Sequence, residues 1–198
     1  RREKERFMSI QKREAVLFTA MKLFNEFGFH ATPTSKIAKK AKVSVGTLFN
    51  YFPTKEDLIE AIYVHIKLHS KATFLELHQE KGNIHDSLQS MWHVIIKWGI
   101  ENPEEFKYLE LFCHSPFRST YRTEKSLEAY KQFQHQILKA VIPATICDAY
   151  PDFVLNYIDN SIHAATRFLL QNQIEDADHF IDAAFDLMWL GLSYHENM

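Results

Sequence analysis

Amphipathic stretches whose apolar residues recur every three or four positions alternate along the chain with short polar breaks, and no Val/Ile/Thr-rich stretch shows the every-second-residue alternation of a strand. Ile10, Leu17, Ala20, Met21, Phe24 and Phe27 predict a first helix, with Ser9 as its cap and Gly28 as its end. Thr34 is placed to cap a second helix to Ala41, and Ser44 a third to Phe52. Both are too short to stand alone, so Ile37, Ala38, Val43 and Leu48 must pack against the first. Thr54 with Asp57 three residues on predicts a capping box opening a long helix to about Leu77, stopped at Gly82-Asn83. Further helices fit 84–101, 104–113, 122–142, 152–172 and 177–194, with Pro103, Pro116, Pro143 and Pro151 at or between their ends. The expected fold class is all-α, about nine helices: a three-helix head over residues 1–53, joined by the long helix to a larger helical domain over 54–198.

The second and third of these helices, joined by a tight turn, form a helix-turn-helix in local sequence, which points first to DNA binding. A chain of 198 residues, 46% apolar and 14% aromatic, can bury a sizeable core, and its net charge of −2 hides a division by position. Residues 1–56 carry twelve Lys or Arg against five Glu, whereas residues 57–198 carry eleven against twenty acids. A basic head on an acidic remainder suits a surface that faces phosphates.

Reading base edges in a groove about 12 Å wide requires short polar groups at the N-terminal end of the entering helix. Val45, Gly46, Thr47 and Asn50 stand there: a methyl of Val45 or Thr47 for a thymine methyl, close backbone approach at Gly46, and the Asn50 amide for an adenine edge. Thr34, Ser35, Lys36, Tyr51 and Lys55 are the candidate phosphate ligands around them, with Ser44 at the helix start. Phe49, one position past the apolar Leu48, is expected to be partly exposed and is a further candidate contact.

Other chemistry finds few carriers. Cys113 and Cys147 have no second pair for a disulfide framework or a C-x-x-C site, and no cofactor or metal is expected. His65 and His69, four apart, lack a third ligand and are read as a solvated helix face. There is no apolar run near the ~18 residues a membrane helix needs, so a cytoplasmic protein is expected. A small α-helical enzyme remains an alternative without a motif: no nucleophile elbow, no H-E-x-x-H, no phosphate-cradling Gly loop.

The run Phe27-Gly28, Thr34, Ile37-Ala38, Ala41, Val43-Ser44, Gly46-Thr47-Leu48, Tyr51-Phe52, Lys55-Glu56 and Leu58 resembles the TetR family of bacterial transcriptional repressors over about residues 10–60. That resemblance implies a homodimer, three N-terminal helices that bind a palindromic operator in double-stranded DNA, and a helical C-terminal domain that binds a small-molecule inducer. It breaks at two positions: Lys42 stands where the family usually has Gly, and Phe49 where it usually has Tyr. If the turn is unchanged, Lys42 must hold a positive φ, at about 1 kcal/mol. Phe49 lacks a hydroxyl for phosphate, so affinity leans more on Tyr51 and Lys55.

In the body, Trp92, Ile95, Ile96 and Gly99 form one helical stripe and Phe106, Leu109 and Cys113 another. Two such stripes facing each other would make a pocket. Trp92, Ile96, Phe106, Leu109, Phe112, Cys113, Phe117, Tyr121, Tyr130, Phe133 and Phe168 are therefore the candidate contacts for a small amphipathic or hydrophobic effector, plain core being the alternative. Farther on, Val154, Ile158, Ile162, Ala165 and Leu169 form a stripe with Phe153, Tyr157, Ala164 and Phe168 beside it. The last helix adds Ile181, Phe185, Met188 and Leu192. Two apolar faces predict a helical hairpin that pairs with its copy, with the first stripe, Tyr157 and the four residues of the last helix at the interface; burial within one chain is the alternative. The expected function is a ligand-responsive homodimeric repressor, with activation or control by a protein partner left open.

Overall fold

Side chains close to the backbone set the starts of four of the described helices. A computed structural model describes residues 2–77, 83–117 and 150–193, with the side chains of 2–6, 71–77, 84 and 193 left aside. These residues form eight α-helices and no strand: α1 (Arg2–Phe27), α2 (Thr34–Lys40), α3 (Val45–Tyr51), α4 (Lys55–Leu77), α5 (Ile84–Glu101), α6 (Pro103–Cys113), α7 (Pro151–Gln171) and α8 (Ala177–Ser193). The helix expected at 122–142 lies outside the described residues, as do Tyr121, Tyr130 and Phe133.

Two expected caps fall elsewhere. Ser9 lies inside α1, because the Arg, Glu and Lys residues before it are good helix formers and carry the helix back to Arg2. Thr34 is the first residue of α2, Pro33 holds the cap position, and no side chain caps the helix. The capping box is formed as expected: the Asp57 N–H donates to Thr54 Oγ1 at 3.0 Å and the Thr54 N–H donates back to Asp57 Oδ2 at 2.9 Å. Asn83 caps α5 by accepting from the Asp86 N–H at 2.8 Å.

The described residues fall into two compact units, one holding 2–69 and 103–117, the other 70–77, 83–102 and 150–193. In the first, α1 packs against α2, α3 and α6. Leu17, Phe24, Ile37, Leu48 and Phe52 are fully buried there, which gives α2 and α3 the support that seven residues cannot supply themselves. The unit reaches past residue 53 because α6 supplies one wall. The buried Tyr108 hydroxyl donates to the Ile59 carbonyl at 2.8 Å, and burial pushes its phenol well above the ordinary range. Phe112 stacks on Tyr63 at 4.4 Å, and the Asn25 amide donates to the Glu104 carbonyl at 2.8 Å.

The second unit is built from α5, α7 and α8. Leu88, Trp92 and Ile96 of α5 meet Val154, Ile158, Ile162 and Ala165 of α7 and Ile181, Phe185, Met188 and Leu192 of α8 in one buried cluster, with Leu169 at its edge. The Trp92 indole donates to the Ile181 carbonyl at 3.0 Å. Along the rim, Asp182 accepts from Gln89 at 3.1 Å and lies 2.7 Å from His93 Nε2, and Lys97 pairs with Asp178 at 2.8 Å, holding that carboxyl below its usual range.

This packing corrects one expectation. Val154, Ile158, Ile162, Ala165, Ile181, Phe185, Met188 and Leu192, expected at a dimer interface, are buried inside their own chain because α5 covers them. The stripe beside them is the exposed one: Phe153, Tyr157, Ala164 and Phe168 on α7, with Ala183, Leu187 and Leu190 on α8. The two stripes expected to face each other across a pocket belong to different units. Trp92 and Ile96 pack on α7 and α8, whereas Phe106, Leu109 and Phe112 are buried in the unit that holds α1.

Candidate nucleic-acid interface

The turn between α2 and α3 fixes everything that follows it. The Val43 N–H donates to the Ala38 carbonyl at 3.0 Å and the Lys42 N–H to the Lys39 carbonyl at 3.3 Å, the paired bonds of a Schellman end, with Lys42 at φ 56 in the position that favours glycine. The family-like turn is thus retained with a lysine bearing the strain. Ser44 then takes an extended conformation, and its Oγ accepts from the Thr47 N–H at 3.0 Å to start α3.

Leu48 anchors α3 in the core, so the opposite face is turned to solvent. Val45 is 42% exposed and Phe49 39%, with Gly46 and Asn50 also exposed and Thr47 half-buried. A Cβ on Gly46 would meet nothing nearer than Ser44 Oγ at 3.9 Å. Nothing inside the chain therefore demands glycine at this position; a close approach from outside would. Phe49 keeps its ring at the surface, as its register relative to Leu48 requires.

The candidate phosphate ligands surround this face, some held by groups the sequence did not indicate. Ser35 and Lys36 are exposed, and Thr34, Tyr51 and Lys55 are half-buried. The Tyr51 hydroxyl lies 3.1 Å from that of Ser9, and the Lys36 ammonium sits 3.3 Å above the ring of Phe27. Between Glu26 and Glu56 the chain carries five Lys and no Asp or Glu, so no carboxylate from this stretch competes with a phosphate. Phe27 and Ser9 were missed as partners of this surface because a nine-residue or 42-residue separation leaves no helical spacing to read.

Elsewhere, His65 meets Phe18 edge-on at 5.2 Å and His69 Nδ1 lies 3.0 Å from Glu105, so the two imidazoles serve separate contacts. Among the described residues no cluster of three His, Cys, Asp or Glu could hold a metal ion, and no helix is long and apolar enough to cross a membrane.

Residues 16–62 match the sequence profile of the bacterial regulatory proteins, tetR family. Over nearly its whole length the chain is also similar to a TetR family transcription regulator from Marinobacter aquaeolei VT8, at 26% identity, covering 95% of this chain and 98% of that one with a TM-score of 0.72. Residues 16–62 thus carry a TetR-family head. Its helix-turn-helix is that of a DNA-binding transcriptional regulator. Relatives of the chain include the HTH-type transcriptional regulator YhgD of Bacillus subtilis, 29% identical over 46% of this chain and 48% of that protein. The HTH-type transcriptional regulator LuxR of Vibrio harveyi is 26% identical over 79% of this chain and 78% of that protein. The chain thus spans about half of YhgD and over three quarters of LuxR.

Proposed function

We infer that this chain is a homodimeric TetR-family repressor that binds a palindromic operator through two copies of α3 and is released by a small amphipathic or hydrophobic effector. The observation that carries the reading is the α3 face itself: Gly46, Val45, Phe49 and Asn50 exposed, held up by a buried Leu48, in a stretch of five lysines without an acid. Val45, Gly46, Thr47 and Asn50 would meet bases, with Phe49 against them; Thr34, Ser35, Lys36, Ser44, Tyr51 and Lys55 would meet the backbone.

The dimer is supported by the second apolar stripe. Phe153 is 62% exposed, Leu187 75% and Leu190 61%, a large apolar surface on two neighbouring helices. A Cβ on Gly191 would lie 2.8 Å from the Tyr157 hydroxyl, so the missing side chain lets the Tyr157 ring of α7 approach α8 closely. A helical pair of this kind fits an isologous contact with its copy. Among the described effector candidates, Cys113 and Phe117 are half-buried and Phe168 is exposed, stacked on Phe180 at 5.0 Å.

Selection of bound fragments from random DNA, followed by sedimentation of the complex, tests this. The expected site is a palindrome with half-site centres one DNA turn apart, roughly 34–36 Å, occupied by two chains. A single unrepeated site bound by one chain would remove the dimer, and no enrichment would remove the operator. Transcription from a promoter carrying the selected site separates repression from activation.

A further inference from the structure

Resting on the DNA-facing reading of this surface, we propose that Phe27 is a positioning residue for operator binding, its ring holding the Lys36 ammonium ready for a backbone phosphate. Phe27 is the last residue of α1 and is 42% exposed, so the core does not explain an aromatic ring there. Lys36 lies in the first turn of α2, exposed, with its Nζ 3.3 Å from the ring centroid. Both come from the segment that leads directly into the recognition helix.

The segment between them is tied back on itself by hydrogen bonds, which sets the two side chains within reach of each other. Gly28 turns the chain at φ +79, its N–H donating to the Phe24 carbonyl at 2.8 Å. The fully buried Thr32 ties the return, its hydroxyl lying 2.8 Å from the Gly28 carbonyl and 3.3 Å from the Leu23 carbonyl. Pro33 then leads into α2, accepting from the Lys36 N–H at 3.0 Å. A ring face attracts a cation through its quadrupole but occupies only one side of the ammonium, so N–H donors on the far side still point to solvent. A lysine ordinarily loses much rotamer freedom when it engages a phosphate; here much of that ordering is already made in the free protein.

The test uses the intact protein and the duplex it selects from random sequence, with affinity measured across a salt series for native, Lys36→Gln, Phe27→Leu, Phe27→Trp and the Phe27→Leu/Lys36→Gln pair. Lys36→Gln is expected to weaken binding and lower the salt slope by about 1. Phe27→Leu should weaken it about two- to five-fold, the range that corresponds to an exposed cation–π contact. Phe27→Trp, with the better ring face, should hold native affinity, and the double variant should bind as Lys36→Gln does. Equal loss from Phe27→Leu in the native and Lys36→Gln backgrounds would overturn the proposal, because it marks a merely structural role. Tighter binding by Phe27→Leu would also overturn it, since the ring would then compete with phosphate. No effect of Lys36→Gln would do the same. Native binding that ignores salt would instead remove the DNA-facing reading itself.

Discussion

The hydroxyls of Ser44 and Thr47 lie 2.8 Å apart, and Ser44 Oγ also accepts the Thr47 N–H at 3.0 Å, so two side chains offered as DNA ligands are first of all partners in starting α3. Stability and the proposed DNA contact therefore share one residue, and substitution can separate them. Ser44→Ala removes the cap and should lower stability by about 1 kcal/mol. Ser44→Asp keeps a capping oxygen and the native urea midpoint, but sets a carboxylate where phosphate approaches and weakens operator binding. Native affinity in Ser44→Asp would show that Ser44 faces away from the DNA.

Gly46 is open toward solvent, with no atom of the chain near enough to exclude a methyl group. Gly46→Ala should stabilise the fold by about 0.5–1 kcal/mol through helix propensity while lowering operator affinity several-fold. Opposite signs from denaturation and binding are what mark a glycine kept for an external partner. A variant both more stable and equally tight would remove the close approach proposed at this position.

Lys42 bears a left-handed conformation in which a side chain is strained. Lys42→Gly should raise stability by about 1 kcal/mol, and Lys42→Asn by less. The urea midpoints of the three proteins provide the comparison. A drop in the glycine variant would mean that the lysine side chain makes a contact worth more than the strain.

Leu187 and Leu190 are exposed on α8, whereas Phe185, on the same helix, is fully buried. Leu187→Glu with Leu190→Glu should give a folded monomer in sedimentation, with native helix content and much weaker operator binding. Phe185→Glu should instead unfold its unit, because it buries an unpaired charge. A double glutamate variant that remains dimeric would move the interface elsewhere.

Much of the head was legible in sequence because its signals act between near neighbours. The capping box at Thr54 and Asp57, the cap at Ser44 and the stop at Gly28 all depend on residues within one helical turn, and the burial of Ile37, Ala38 and Leu48 follows from helices too short to stand without α1. Phe49 could be placed at the surface for the same reason. The stacking of Lys36 on Phe27 and the pairing of Tyr51 with Ser9 could not be foreseen, since each joins residues whose proximity exists only once α1 and its neighbours have packed.

The sequence by itself determined that α7 and α8 are helices with more apolar surface than one face requires. Which stripe is covered was decided by tertiary structure. Val154, Ile158, Ile162 and Phe185 turn inward because Leu88, Trp92 and Ile96 of α5 offer the surface they fill, leaving Phe153, Tyr157, Leu187 and Leu190 outside. The same holds for Trp92 and Phe106, whose stripes look alike in spacing but are buried in different units. Periodicity records that a side chain wants to leave water; only the shape of the neighbouring helix selects the direction in which it does so.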